Sequence, residues 1–196
     1  RHPAEAVSEF RRRLPADTLL VLDEAYTEFA PEGTNPSFDP SDAGVIRLRT
    51  FSKIYGLAGL RVGYAIAHPD AVTGLNKIRN HFGVNRVAQQ AALAALQDQA
   101  YIDALRREIE AGKQAYAEIA RRHGFTAIPS CTNFVAIDVG GAERGERLLK
   151  ALQDRRVFIR KPGVPPLDRC IRVTVGPEAE RAIFEQAFAE AVAEVG

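Results

Sequence analysis

A single lysine, Lys53, has the sequence context of a reactive amine. Lysine is scarce in this chain, which has five lysines and 21 arginines among its 26 basic residues. An arginine stays protonated near neutral pH, whereas a lysine can become a free amine and form a Schiff base with a carbonyl carbon. Lys53 follows a strand-like segment, 45–49, and precedes a glycine-rich stretch that leads into a second such segment, 61–66. We therefore expect a reactive amine at the end of a strand, beside a tight backbone turn.

Asp23 is a second candidate for chemistry, because it ends an uninterrupted apolar run. The run Leu19–Leu22 is typical of a strand that is buried on both faces. An acidic residue after such a strand is most often a loop or capping residue. Here the segment 24–44 is long enough for the crossover that joins two parallel strands. Asp23 and Lys53 would then both lie at the carboxyl ends of strands, where open α/β sheets bind ligands.

The run from Thr50 to Tyr64 resembles the cofactor-attachment segment of the fold-type I pyridoxal-phosphate aminotransferases, class I/II. In that family a serine precedes the lysine, glycines follow it, and an arginine lies eight residues on. The matching residues are Ser52, Gly56, Gly59 and Arg61. The resemblance implies that the cofactor is pyridoxal 5'-phosphate, and that Lys53 holds it as a Schiff base and later shuttles the substrate's proton. It also implies that Arg61, with the hydroxyls of Ser52 and Thr50, binds the phosphate of the cofactor.

Asp23 and Tyr26 match a second motif of the same family. There an aspartate pairs with the pyridine nitrogen, and a tyrosine three residues later bonds the phenolic oxygen of the ring. A carboxylate beside the ring nitrogen keeps that nitrogen protonated, so that the ring can accept the electrons left when the substrate Cα loses its proton. The resemblance therefore implies that Asp23 and Tyr26 tune the cofactor.

Three residues nearer the carboxyl terminus are candidates for substrate binding. Arg172 lies between Ile171 and Val173 in a strand-like run and so faces opposite to them. By itself this pattern predicts an exposed position on a one-sided sheet, but in the family an arginine of a matching strand binds the substrate's α-carboxylate or another acidic end. Arg160 is either a second contact to an anion or a surface residue. Asn133 is either the family asparagine that faces the substrate or a turn residue at the start of a strand.

Composition indicates an ordinary soluble globular protein. The chain is 46% hydrophobic and 26% charged, with a net charge of +1, which predicts binding to neither nucleic acid nor a membrane. No apolar run approaches the length of a membrane span. Cys131 and Cys170 are too few for a disulfide framework, which favours a reducing cytoplasm. The four histidines are scattered along the chain, so we expect no metal site.

The order of strand-like and helical segments, together with the resemblance, predicts an α/β fold. It would comprise the end of a PLP-transferase large-domain sheet and a small α+β carboxyl-terminal domain. We expect a partial large domain at 1–84, connecting helices at 85–123 and the small domain at 124–196, with the last helix opening near Pro177. Strands are expected at about 18–23, 45–50, 61–67, 132–137, 157–160 and 171–175.

Residues 23–29, their spacing to Lys53, and residues 84–89 resemble the branch of this family that acts on histidinol phosphate. That branch, in histidine biosynthesis, moves an amino group between glutamate and the keto precursor of histidinol phosphate. The resemblance implies small-molecule amino and keto acid substrates and a homodimer. Residues 80–83 depart from the prolines that are common in that branch. Aromatic amino-acid aminotransferases and threonine-phosphate decarboxylases share these motifs and are alternatives.

The chain has no methionine and begins with Arg1, as a processed or truncated product would. Family members are usually much longer, and this chain corresponds to their carboxyl-terminal half. An alternative of a different class is therefore a non-catalytic fragment that dimerises or binds pyridoxal phosphate weakly without turnover. Three strands of a larger sheet would leave an open edge and an uncovered apolar face, which favours self-association.

Overall fold

The computed structural model describes residues 2–31 and 33–196. Arg1, noted above in place of an initiator, lies outside this description. The chain divides into two compact units, one ending at Asp103 and the other beginning at Ala104. This division falls inside helix α4 (Gln99–Arg122). The domain boundaries expected at 84/85 and 123/124 remain a prediction.

A three-stranded sheet organises the first unit. Its strands are β1 (Leu20–Asp23), β2 (Val45–Thr50) and β3 (Gly63–Ala67), in the order β1-β2-β3. Strands β1 and β2 are parallel, joined by the predicted crossover, whereas β2 and β3 are antiparallel. The parallel register sets Asp23 opposite Leu48. The sheet therefore brings the end of β1 beside the end of β2, as the α/β prediction requires.

Strand β1 is less buried than its apolar sequence predicts. Val21 is 52% exposed, and Leu20 and Leu22 are half-buried. The prediction of a strand covered on both faces is thus wrong for the residues described. The physical reason is position, because among the residues described β1 lies at the edge of the three-stranded sheet, so that a strand flanks it on one side only.

Helices α1 (Ala4–Arg13), α2 (Pro69–Ile78) and α3 (Arg86–Gln97) complete the first unit. Capping side chains define the beginnings of two of them. The ring of His68 accepts the N–H of Asp70 at the start of α2 (3.3 Å), where Pro69 occupies the first turn. The side chain of Asn85 accepts the N–H of Ala88 at the start of α3 (2.8 Å).

The second unit packs helices against an antiparallel sheet. Its strands are β4 (Thr126–Ile128), β5 (Phe134–Asp138) and β6 (Cys170–Thr174), in that order, and its helices after α4 are α5 (Ala142–Asp154) and α6 (Glu178–Val195). Pro177 caps the start of α6, as predicted. The core is formed by apolar side chains of these elements, namely Val135, Ile137, Leu148, Leu152, Ile171, Val173, Phe184 and Phe188.

Residues 85–160 agree with the sequence-based expectation in one respect and differ from it in two. The connecting helices expected at 85–123 are α3 and α4, which meet at Asp98, whose Oδ1 accepts the N–H of Tyr101 near the start of α4 (3.1 Å). The strand expected at 157–160 is wrong, because only Arg160 forms a β-bridge, to Arg172. Strand β4 was not predicted, since three residues carry too little pattern.

Within residues 2–31 and 33–196, no helix combines the length and apolar character needed to cross a membrane. Over the same residues, no group of three or more His, Cys, Asp and Glu side chains is arranged to hold a metal ion.

Candidate active site

Lys53 lies on a tight turn that follows β2. The N–H of Gly56 donates to the carbonyl of Lys53 (2.9 Å), and the N–H of Leu57 donates to the carbonyl of Phe51 (2.9 Å). Gly56 has φ +68°, a left-handed conformation that glycine adopts at little cost. The side chain of Ile54 is 1% exposed and anchors the turn in the first unit. Lys53 itself is half-buried, so its amine is held by a rigid segment yet remains accessible.

Tyr26 and Lys53 are brought together. The Lys53 Nζ lies 5.0 Å from the centroid of the Tyr26 ring, within the range of a cation–π contact. Tyr26 directly precedes a short 3₁₀ helix, Thr27–Phe29, and its carbonyl accepts the N–H of Phe29 (3.0 Å). The structure therefore places side by side two residues that are 27 positions apart in the chain.

Asp23 ends β1 at the same edge of the sheet. Its Oδ1 accepts the N–H of Ala25 (3.1 Å), which orients the carboxylate at the start of the crossover. The side chain is exposed. Because β1 and β2 are parallel, Asp23 lies at a carboxyl end of the sheet next to the strand that leads to Lys53.

Thr50, Ser52 and Arg61 surround the same turn. The N–H of Ser52 donates to the Thr50 Oγ1 (3.0 Å). Arg61 follows a 3₁₀ turn, Ala58–Leu60, and its guanidinium donates to the Ala58 carbonyl (2.7 Å). Its φ of 54° is uncommon for a residue other than glycine and costs on the order of 1–3 kcal/mol. Strain of this kind is typical of residues that are held in place for binding.

Glu24 is a buried residue of this region that the sequence did not single out. Its Oε1 accepts hydrogen bonds from Arg47 (Nε at 2.9 Å, Nη2 at 2.8 Å), and its Oε2 accepts one from Arg49 (Nε at 2.9 Å). Burial opposes the charge of Arg49, yet the hydrogen bond to Glu24 and the nearby carboxylates raise the pKa of Arg49 above its usual value. The sequence does contain a signal for this pairing. Arg47 and Arg49 occupy alternate positions of one predicted strand, and the acidic Glu24 follows the other.

The three candidate substrate residues lie in the second unit. Arg172 of β6 faces away from the buried Ile171 and Val173, as predicted, and its guanidinium carbon is 4.7 Å from the centroid of the Phe134 ring. Arg172 and Arg160 exchange two backbone hydrogen bonds (3.0 and 2.6 Å). The carbonyl of Asn133 accepts the N–H of Val175 just after β6 (2.8 Å).

The side chains of the first unit fit the chemical groups of pyridoxal phosphate. Lys53 supplies an amine that suits the aldehyde of the cofactor, and Asp23 supplies a carboxylate that suits its ring nitrogen. A phenol for the ring oxygen is supplied by Tyr26. Hydroxyls and a guanidinium, which are suited to a phosphate, come from Thr50, Ser52 and Arg61.

Comparison with known proteins agrees with this donor set. The family model described as "Aminotransferase class I and II" matches residues 3–188, so the chain belongs to the class I and II aminotransferases. Histidinol-phosphate aminotransferase 1 of Cupriavidus pinatubonensis is 41% identical over an alignment 197 residues long, which covers 97% of this chain and 52% of the relative. The chain thus spans about half the length of the curated relatives it matches.

Solved structures show the same fold. Histidinol-phosphate aminotransferase from Sinorhizobium meliloti, in complex with pyridoxal-5'-phosphate, superposes with a TM-score of 0.95 at 44% identity; the match covers 100% of this chain and 54% of that one. L-Threonine-O-3-phosphate decarboxylase from Porphyromonas gingivalis superposes with a TM-score of 0.77 at 25% identity and covers 96% of this chain and 59% of that one. The predicted PLP-transferase fold class is confirmed.

Proposed function

We propose that the protein is a pyridoxal-phosphate-dependent aminotransferase of amino-acid biosynthesis. The amino donor and acceptor pair would be glutamate and 2-oxoglutarate, and histidinol phosphate with its keto precursor is the proposed second pair. The observation that carries the proposal is the approach of the Lys53 amine to the Tyr26 ring, at the edge of the sheet where Asp23 lies. Family membership and the names of the similar proteins support it.

Each residue has a proposed part in the reaction. When bound, pyridoxal phosphate supplies an electron sink for the substrate Cα. Lys53 would hold the cofactor through its amine, and the same amine would accept and return the proton of the substrate Cα. The carboxylate of Asp23 keeps the pyridine nitrogen protonated, and the Tyr26 hydroxyl binds the phenolic oxygen.

The phosphate and the substrate are bound by other side chains. Arg61, with the hydroxyls of Ser52 and Thr50, binds the phosphate through charge-assisted hydrogen bonds. Arg172 binds the acidic end of the substrate with its planar guanidinium. The remaining candidates, Arg160 and Asn133, would contact a second anionic group and the substrate itself.

We propose this activity for the intact protein, because the chain spans about half of its curated relatives. A homodimer in the cytoplasm is proposed from the same family likeness. The alternative of a non-catalytic fragment predicts that these 196 residues alone, unlike the intact protein, give no turnover of glutamate.

Cofactor capture tests the proposal first. The intact protein is incubated with pyridoxal phosphate, reduced with borohydride, and digested for peptide mass analysis, beside Lys53→Ala and the control Lys77→Ala. Lys77 lies in the last turn of α2 and is exposed, so its loss should leave the labelling unchanged. We expect the label on Lys53 and its loss in Lys53→Ala. Equal labelling of Lys53 and the four other lysines of these 196 residues would contradict the proposal.

Product analysis then separates the substrates. Formation of 2-oxoglutarate from glutamate with the keto precursor of histidinol phosphate supports the proposed reaction. A decarboxylase is the second candidate, since the Porphyromonas gingivalis enzyme shares the fold. It predicts release of carbon dioxide from threonine phosphate instead. An aromatic 2-oxo acid as the better acceptor would favour an aromatic amino-acid aminotransferase.

A further inference from the structure

We propose that Glu24 is a positioning residue that sets the separation between Lys53 and the pair Asp23 and Tyr26. The inference rests on the proposed function, since this separation matters only if Lys53 holds the cofactor. Glu24 belongs to the segment that carries Asp23 and Tyr26. Its carboxylate binds two arginines of β2, the strand that leads to Lys53. One side chain thus joins the two segments that form the site.

The backbone and the side chain of Glu24 both bind β2, and we call these contacts the Glu24 clamp. The Oε1 binds Arg47 and the Oε2 binds Arg49, at 2.8–2.9 Å. The N–H of Glu24 donates to the carbonyl of Leu48, between these arginines (2.9 Å), and its carbonyl accepts the N–H of Thr27 (3.0 Å). Glu24 therefore contacts three consecutive residues of β2 and also fixes the start of the 3₁₀ helix.

Burial makes the clamp rigid. The side chain of Glu24 is 8% exposed, and those of Arg47 and Arg49 are 18% and 22% exposed. A second buried carboxylate, that of Glu28, lies 3.8 Å from Arg49. Buried charges persist only when they are paired and hydrogen-bonded, so two carboxylates and two guanidiniums hold one arrangement. Removing the Glu24 carboxylate leaves Arg49 beside Glu28, deprives Arg47 of this partner, and removes the side-chain link between the end of β1 and β2.

The clamp reaches the site through short stretches of backbone. Lys53 follows Arg49 by four residues, and Asp23 directly precedes Glu24. The 5.0 Å between the Lys53 Nζ and the Tyr26 ring depends on how these two strand ends are aligned. Binding sites lose affinity when the supporting residues allow displacements of about 1 Å. A loosened clamp is therefore expected to weaken cofactor binding at temperatures where the protein is still folded.

The experiment compares the intact protein with Glu24→Gln, and uses Glu9→Gln as a matched control. Each sample is titrated with pyridoxal phosphate and reduced with borohydride, and the label on Lys53 is measured beside that on the other lysines. We expect Glu24→Gln to raise the half-saturating concentration for Lys53 by on the order of tenfold and to lower the selectivity for Lys53. Glu9 also binds two arginines, Arg12 and Arg13, but on the exposed α1 surface, so its replacement should change neither quantity.

A second variant, Glu24→Asp, separates positioning from stability. It keeps the charge but is one methylene shorter, so it cannot reach both arginines and should give a smaller rise in the half-saturating concentration. If Glu24→Gln does not fold, Glu24→Asp decides by the same measurement. Labelling equal to that of the unsubstituted protein, at a temperature where the variant is folded, overturns the inference. Loss of selective Lys53 labelling in the unsubstituted protein would instead overturn the proposed function.

Discussion

Replacement of Gly63 by alanine is expected to strain the start of β3. Gly63 pairs with Thr50 across the antiparallel ladder. A Cβ atom on Gly63 would lie 2.7 Å from the carbonyl oxygen of Arg49 and 3.6 Å from the Cα of Thr50. Both are backbone atoms of a paired strand, which cannot rotate away. Restoring an ordinary van der Waals separation of about 3.4 Å requires a shift of about 0.7 Å.

The size of the effect follows from this contact. Overpacking of a well-ordered region typically costs about 1–3 kcal/mol, and we expect Gly63→Ala to fall in that range. Gly59→Ala is the matched control, because a Cβ there would meet no atom within 4 Å and the backbone is not left-handed. That substitution should stabilise the protein by about 0.4–1 kcal/mol, by restricting the unfolded chain. The two changes, four residues apart, should therefore have opposite signs.

Urea unfolding followed by circular dichroism measures both variants against the unsubstituted protein. A shift of the midpoint at constant slope reports stability alone. Because the crowded carbonyl belongs to the strand that leads to Lys53, Gly63→Ala should also raise the pyridoxal phosphate concentration needed to label that lysine. A Gly63→Ala midpoint equal to or above that of Gly59→Ala would refute the reasoning.

Three further predictions concern the second unit. Phe188→Ala should destabilise the protein by about 3–5 kcal/mol in thermal unfolding, because its ring is fully buried, and Phe188→Leu should cost less. Although burial alone would raise it, a backbone N–H and the Arg169 guanidinium hold the pKa of Asp138 below its usual value. The protein should therefore be more stable to unfolding than Asp138→Asn, by the full amount above about pH 4. This difference in the free energy of unfolding should be lost as the pH falls through the lowered pKa, and urea midpoints measured at several pH values would show it. Burial raises the pKa of the Cys170 thiol, so a thiol reagent at about pH 8 should modify Cys131 well before Cys170 in the folded protein.

Elements with a strong local pattern could be predicted from the sequence. The run at 45–50, rich in β-branched and aliphatic residues, is a strand at the predicted positions, and Pro177 directly precedes α6. Strand β4 has only three residues and exists because Thr126 to Ile128 pair with β5. The run 157–160 has an apolar pattern, but its backbone pairs only at Arg160. In both cases, pairing with a segment distant in the sequence determines whether a strand forms. The periodicity of apolar residues does not predict such pairing.

The candidate site divides in the same way. Lys53, Ser52 and Arg61 could be proposed from the sequence because they lie within one short run, and their roles stay a prediction. The contact between Glu24 and the arginines of β2 spans 23 and 25 residues and depends on the parallel register of β1 with β2. A charged strand residue ordinarily indicates a solvated face. Only the three-dimensional pairing shows that these charges are buried and matched.

The placement of the candidate residues in two units has a consequence for how such proteins diversify. The proposed cofactor ligands lie between Asp23 and Arg61, whereas the proposed substrate contacts lie between Asn133 and Arg172, in a unit with its own core. With the proposed roles, substitutions in the second stretch would alter which acid is accepted, while the proposed covalent chemistry of the first stretch would be inherited unchanged. Substrate preference in this lineage is expected to drift faster than cofactor use.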